Sequence, residues 1–274
     1  MIKETIDLFL SEVPAVVTSL GIVNVAVLAS IYAIAALMSG FSGFGFSAIG
    51  ALSFAVLRPA QAISVLVCLS LLTQMSSISK TWGEMRTAKP SPFHLTAGVW
   101  PSVLGGALGL PIGISLLTLW GASSLMLSIG FFIVAYATWA TFGKTRINAK
   151  YDTPLSSSLV GVCGGIVGGV CGFPGSAMIV WNGLIGRGKE GRAYTQLFVI
   201  LSQSIAIAYL WTAHSFNGAT FALLLFFTPV ALLANTVGVK LYKGASADKY
   251  KKFTLAALFI SGLGLVAKVL LLST

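Results

Sequence analysis

Apolar residues fall into stretches at roughly 13–57, 60–79, 94–119, 121–142, 154–186, 193–213, 219–240 and 253–272. A helix crosses the hydrocarbon core of a bilayer in about 20 residues, so most of these stretches predict one transmembrane helix each. Two of them, 13–57 and 154–186, are too long for a single crossing. Each is interrupted by a glycine-rich motif, GFSGFGFSAIG at 40–50 and GGIVGGVCGFPGSAM at 164–178. Proline removes a backbone donor and clustered glycines leave the chain unrestrained, so both motifs predict a break in the helix.

The two breaks are related. Sliding the chain by a constant offset puts Gly40, Gly43, Phe44, Ser47 and Ala48 on Gly169, Gly172, Phe173, Ser176 and Ala177. The same offset puts Arg58 on Arg187, Leu72 on Leu201, Gln74 on Gln203, Ile78 on Ile207, Trp82 on Trp211 and Gly109 on Gly238. Coincidence of Arg, Gln and Trp at one offset points to an internal duplication, 1–150 and 151–274. Each repeat holds a broken segment, re-entrant or discontinuous, followed by three helices. Transporters are often built this way.

Composition fixes the solvent. The chain is 56% hydrophobic and 9% charged, with a mean hydropathy of +0.92, against about 25% charged residues in a soluble domain. The expected fold class is an all-α polytopic membrane protein. The net charge of +10 is not a nucleic-acid signal, because the basic residues sit in short clusters between apolar stretches. The clusters are Lys80, Arg86 and Lys89; Lys144, Arg146 and Lys150; Arg187, Lys189 and Arg192; and Lys240, Lys243, Lys249, Lys251 and Lys252. If every stretch crossed once, these clusters would divide between the two sides, against the positive-inside bias. If each broken stretch enters and returns on one side, all four become cytoplasmic and the repeats have inverted topology. That arrangement is preferred over a plain eight-span rival. The N-terminal MIKETIDLFLSEVP mixes acids with apolar residues, which argues against a cleaved signal peptide.

In lipid, non-helical backbone survives only against protein or a water-filled cavity. Two breaks therefore point to a polar cavity between the halves. A short helix restarts near Ser47 and another near Ser176, and the first N–H groups of each make an electropositive end. Two such ends at one cavity suit an anion. The candidate binding residues are Gly40, Ser42, Gly43, Gly45, Ser47 and Gln74 in the first half, and Gly172, Pro174, Gly175, Ser176 and Gln203 in the second.

The same residues have plainer readings. Small residues in membrane helices commonly serve close packing, and Gln74 and Gln203 are equally natural as interhelical hydrogen-bond partners. Arg58 and Arg187 follow the short helices, where a cation caps a helix C-terminus or snorkels; the functional reading makes them attractors at the cavity mouths. Trp100, Trp120, Trp139 and Trp211 fit an interfacial aromatic belt. Cys68, Cys163 and Cys171 lie in apolar segments with no CxxC or metal spacing, so neither a disulfide framework nor a metal site is expected. Thiols in such surroundings are inert, against a membrane enzyme with a thiol relay. None of Glu4, Asp7, Glu12, Glu84, Asp152, Glu190 and Asp248 falls in an expected membrane interior, and His94 and His214 lie near segment ends. A buried proton relay is therefore not visible.

The paired GFSGFGFSAIG and GGVCGFPGSAM motifs, with eight short segments and short basic loops, resemble the TauE/SafE family of sulfite exporters over about residues 20–272. The resemblance implies a multi-pass carrier of the bacterial inner membrane. It implies a cargo of sulfite, sulfoacetate or another small organosulfur anion, and no organic cofactor. Its motif positions here are Gly40, Ser42, Gly43, Ser47, Gly172, Pro174, Gly175 and Ser176, with Phe-Pro-Gly in the second break where the first has Phe-Gly-Phe. An alternating-access carrier is the leading expectation. An anion channel with the same site, or a permease for another small anion, is the alternative. A homo-oligomer is compatible with the pattern.

Overall fold

The computed structural model describes residues 14–87, 99–120, 122–142, 149–187, 190–212 and 216–272. Among them all regular structure is helical. A helical segment at 14–20 precedes α1 (Ile22–Ser42). Then come α2 (Phe46–Gly50), a 3-10 segment (Ala51–Ala55), α3 (Pro59–Thr87), α4 (Trp100–Trp120) and α5 (Ala122–Phe142). After a 3-10 turn (Ala149–Tyr151) follow α6 (Pro154–Cys171), α7 (Gly175–Leu184), α8 (Gly191–Thr212), α9 (Gly218–Gly244) and α10 (Ala247–Leu272).

Local chemistry explains several boundaries. Thr153 and Ser156 cap α6 reciprocally, with Pro154 at the first helical position. Asn217 caps α9 by accepting the Thr220 N–H at 2.8 Å. Both long apolar stretches break where expected. α10 begins at Ala247, ahead of the apolar run expected from 253, because Asp248 and Lys252 pair one turn apart at 2.9 Å and support a charged first turn. α3 continues to Thr87, past the expected end near 79. The part of the expected 94–119 helix before Val99, and the turn at Gly121, lie outside the described residues.

Among the described residues, four helical stretches are long and apolar enough to cross a membrane: Ile22–Ser42, Gln61–Gly83, Gly191–Thr212 and Gly218–Gly244. Large apolar side chains face outward, among them Leu104, Leu108, Phe131, Phe132, Trp211 and Leu233. Many polar side chains face inward. This inversion suits a multi-pass membrane protein, in which lipid replaces water as the outer solvent.

Helix α3 shows the inversion most clearly. Ser70, Thr73, Gln74, Ser77 and Thr81 are all buried, while Leu72, Met75 and Trp82 are exposed. Their spacing of three and four residues puts the polar set on one face.

The helices pair closely. α4 and α6 run parallel, with Gly105, Gly109 and Gly113 against the backbone of Ser158, Val162 and Ile166, and with Gly161 and Gly165 against Ser102 and Gly106. No Cβ fits at these contacts, so glycine is what permits the approach. α1 and α9 also run parallel: Phe227 packs edge-on to Tyr32 at 5.2 Å, and Asn235 abuts Gly40. α3 and α8 run antiparallel, joined at Ser70–Gln203, Gln74–Gln196 and Thr81–Arg192. α5 and α10 are antiparallel neighbours, with Gly262 against Gly130, Ile133 and Val134. The largest apolar core gathers around the first break and includes Leu28, Tyr32, Phe44, Phe46, Leu69, Phe173, Phe227 and Leu258.

Candidate functional site: the paired helix breaks

Both breaks use the same backbone device. α1 ends at Gly43 (φ 83°), whose N–H returns to the Ser39 carbonyl. α6 ends at Gly172 (φ 72°), whose N–H returns to the Gly168 carbonyl. A left-handed residue that closes a helix in this way is usually glycine, because a side chain there is strained. Gly45 (φ 93°) then turns the chain into α2, and Pro174 leads into α7.

The two breaks meet. The rings of Phe44 and Phe173 stack with centroids 6.0 Å apart and planes 22° apart, and both side chains are buried. Gly175, the first residue of α7, also lies here: a Cβ on it would be 3.5 Å from the Phe44 Cβ. The starts of α2 and α7 are thus neighbours. Gly45 is itself buried, yet a Cβ built on it meets nothing within 4 Å. The same is true of the space before Gly172. Each turn therefore borders open volume.

The serine hydroxyls are placed differently from one another. Ser42 Oγ lies 2.7 Å from the Met38 carbonyl and 2.9 Å from the Phe44 carbonyl, and its single proton serves one at a time. Ser176 Oγ donates to the Phe173 carbonyl at 3.1 Å. Ser47 is buried in the first turn of α2. Gly40 is a packing glycine in this arrangement, with Asn235 Oδ1 at 2.8 Å from where its Cβ would be.

A polar network closes the first break. Arg192 is only 3% exposed. Its guanidinium donates to the Gly40 carbonyl at 2.7 Å, Gln196 Oε1 at 3.0 Å and Thr81 Oγ1 at 3.4 Å, and stands 4.2 Å from the centre of the Tyr242 ring. Gln196 donates to Gln74 Oε1 at 3.1 Å, and Gln74 donates to Ser39 Oγ and to the Gly43 carbonyl, each at 3.1 Å. The order is forced: the cation takes the Gln196 oxygen, which turns its amide nitrogen toward Gln74, which turns the Gln74 nitrogen toward the break. Tyr250 donates to the Ser42 carbonyl at 3.2 Å. The carbonyls at the end of α1, which have no partner within the helix, are thus held by side chains from α3, α8 and α10. Asn235 joins the same region by accepting from Ser77 at 2.9 Å and donating to the Thr73 carbonyl at 3.1 Å.

Gln203 sits apart from this network. One end of its amide meets Ser70 Oγ at 2.6 Å, and its Oε1 is buried with no hydrogen-bond partner among the described residues. Arg58 is exposed. Arg187 is part-buried, paired with Asp152, 3.0 Å from Asn182 Oδ1 and 3.8 Å from the Tyr194 ring centre. Asp152 also accepts from Trp181 Nε1 at 3.3 Å. Arg187 therefore ties the α6–α7 pair to α8.

Beside the first break, a cavity of about 640 Å³ lies between α5, α7, α8 and α10, walled by Trp139, Asn182, Thr195, Tyr250 and Lys251 among others. None of the sequence-derived site residues lines it.

Arg192, Gln196, Asn235 and Tyr250 were not among the residues singled out from the sequence. The buried polar stripe of α3 and the lone Asn235 within an apolar helix are the signals that point to this region. Arg192 gives no such signal, because it reads as one more loop cation.

The chain matches the protein family described as Sulfite exporter TauE/SafE over residues 28–265 of 274. No curated protein and no solved structure matches it. The match takes in both breaks, Gln74, Gln203 and the helices from most of α1 to most of α10, so the chain belongs to the TauE/SafE sulfite exporter family.

Proposed function

We propose that this protein is a secondary carrier that moves a small sulfur oxyanion or organosulfonate, such as sulfite or sulfoacetate, across the bacterial inner membrane by alternating access. The cargo rests on backbone N–H groups where α2 and α7 begin. The observation that carries this reading is the contact of the two breaks at Phe44 and Phe173, which sets two helix starts beside one another. Helix N-termini attract anions through their unpaired amides, an effect concentrated in the first turn. It therefore does not need length, and the five residues of α2 supply the groups that matter. Open space before Gly45 and Gly172 supports room for a ligand. The membership in a family described as sulfite exporters supports the cargo.

The inverted arrangement of repeats 1–150 and 151–274 belongs to the same proposal. α3 and α8 occupy equivalent places in the repeats and run antiparallel, as do α5 and α10. The parallel pairing of α4 with α6 is answered by that of α9 with α1. A pseudo-two-fold axis in the membrane plane gives this reciprocity. The described members of all four basic clusters gather at one end of the bundle, where Lys80 meets Thr236 at 2.6 Å and Thr81 meets Arg192. Positive-inside bias makes that end cytoplasmic.

The test is flux of sulfite into proteoliposomes. The proposal expects saturable uptake that falls at least about tenfold in Ser47→Leu and in Ser176→Leu, since a displacement of about 1 Å at a binding site already costs large factors. Unchanged flux in both variants refutes the site.

A further inference from the structure

We infer that Arg192 is the counter-charge of the transported oxyanion, and that the 640 Å³ cavity is the vestibule through which the anion reaches it from the basic end of the bundle. This deepens the transport reading and rests on it. The inference adds the residue that selects for negative charge and the side from which it is approached.

The placement carries it. Arg192 is the second residue of α8, inside a stretch apolar enough to span a membrane, and it is 3% exposed. Although it lies toward the basic end of the bundle, a guanidinium this buried is expensive to desolvate unless polar groups surround it. It also sits at the break itself: a Cβ on Gly43 would stand 2.7 Å from Arg192 Cγ, so the glycine makes room for the arginine stem. Its neighbours Gln196 and Thr81 bring polar groups to the same point. A planar guanidinium presents a fork of donors that matches an oxyanion's paired oxygens. In this structure that fork holds the Gly40 carbonyl at 2.7 Å; an arriving anion competes with this neutral acceptor and wins on charge.

Access runs past Tyr250. Tyr250 lines the cavity, donates to the Ser42 carbonyl, and packs edge-on to Tyr242 with ring centres 5.6 Å apart. Tyr242 is the ring over which Arg192 lies. Tyr250 and Tyr242, with Phe41 packed against both, thus stand between the vestibule and the buried cation. Lys251 and Asp248 share the cavity wall, and with Asp248 paired to Lys252 at 2.9 Å, Lys251 is left to draw anions in. Thr254, also on that wall, sets a hydroxyl beside Tyr250.

The experiment measures uptake of sulfite and of methanesulfonate, a singly charged probe, in proteoliposomes holding wild type, Arg192→Lys, Arg192→Gln or Tyr250→Phe, with thermal unfolding of each protein followed in parallel. Arg192→Lys keeps the charge and loses the fork, so KM for sulfite rises about tenfold with maximal rate little changed. Arg192→Gln loses both, and its preference for sulfite over methanesulfonate collapses. Should Arg192→Gln fail to fold, the lysine variant decides alone. A KM for sulfite within about twofold of wild type in Arg192→Lys overturns the inference. If wild type moves sulfite, Ser47→Leu and Ser176→Leu abolish it, and the Arg192 variants are normal, this inference falls and the transport reading stands. If wild type moves neither probe, both fall together.

Discussion

The two helix breaks share a backbone and differ in what surrounds it. At the first, Gly43 is covered by the stems of Arg192 and Gln196, and the carbonyls of Gly40, Ser42 and Gly43 are taken by Arg192, Tyr250 and Gln74. At the second, Gly172 borders open space and Gln203, among the described residues, reaches Ser70 alone. The two related glycine motifs write the same bend, because φ of 83° at Gly43 and 72° at Gly172 favours glycine. The difference comes from residues the two motifs do not share: at the offset that aligns the motifs, Arg192 and Gln196 fall on Ile63 and Val67. Two like bends thus stand as one latched break and one open one.

Substitutions sharpen the contrast, beginning with the largest effect. Gly43→Val combines left-handed strain with a clash against Arg192 Cγ, which a Cβ would meet at 2.7 Å; destabilisation of about 3 kcal/mol or more is expected. Gly172→Val meets only the strain, with a cost of about 1–2 kcal/mol. Denaturant or thermal unfolding in matched detergent measures both, and equal losses would erase the contrast. Next, Gln74→Leu removes the centre of a chain of hydrogen bonds and strands the Gly43 carbonyl, for about 2–3 kcal/mol. Gln203→Leu removes one bond to Ser70 and relieves a buried oxygen, so its cost stays below about 1 kcal/mol. The reverse order would mean that the second break is the latched one in solution. Smallest is Tyr250→Phe, which deletes one hydrogen bond to the Ser42 carbonyl for about 1 kcal/mol of stability. It also loosens the wall between cavity and network, so sulfite-protectable exchange of backbone amides near Ser42 should speed up by hydrogen-exchange measurement.

Much of this was legible in the chain. The breaks, the half-helices after them and the helix register follow from hydropathy and from glycines at one offset. What hydropathy does not reveal is which face of a helix looks inward. The window that marks Gln61–Gly83 as apolar averages over Leu72 and Met75 outside and Thr73 and Gln74 inside, so the buried stripe of α3 vanishes in the mean. Arg192 was hidden for a related reason. It lies a few residues from Arg187 and Lys189 in a segment that reads as a cytoplasmic loop, yet α8 has already begun at Gly191 and turns Arg192 into the bundle. Arg187, its neighbour in sequence, instead pairs with Asp152. Two cations five residues apart thus have separate tasks, and only the fold distinguishes them.

The most direct measurement is a density map of the protein with selenite, a heavier analogue of sulfite that can be located by anomalous scattering. The account predicts a selenium peak between the breaks, within hydrogen-bond reach of the backbone amides that open α2 and α7. Peaks confined to the outer surface of the bundle, with the space before Gly45 and Gly172 vacant at saturating selenite, would contradict it.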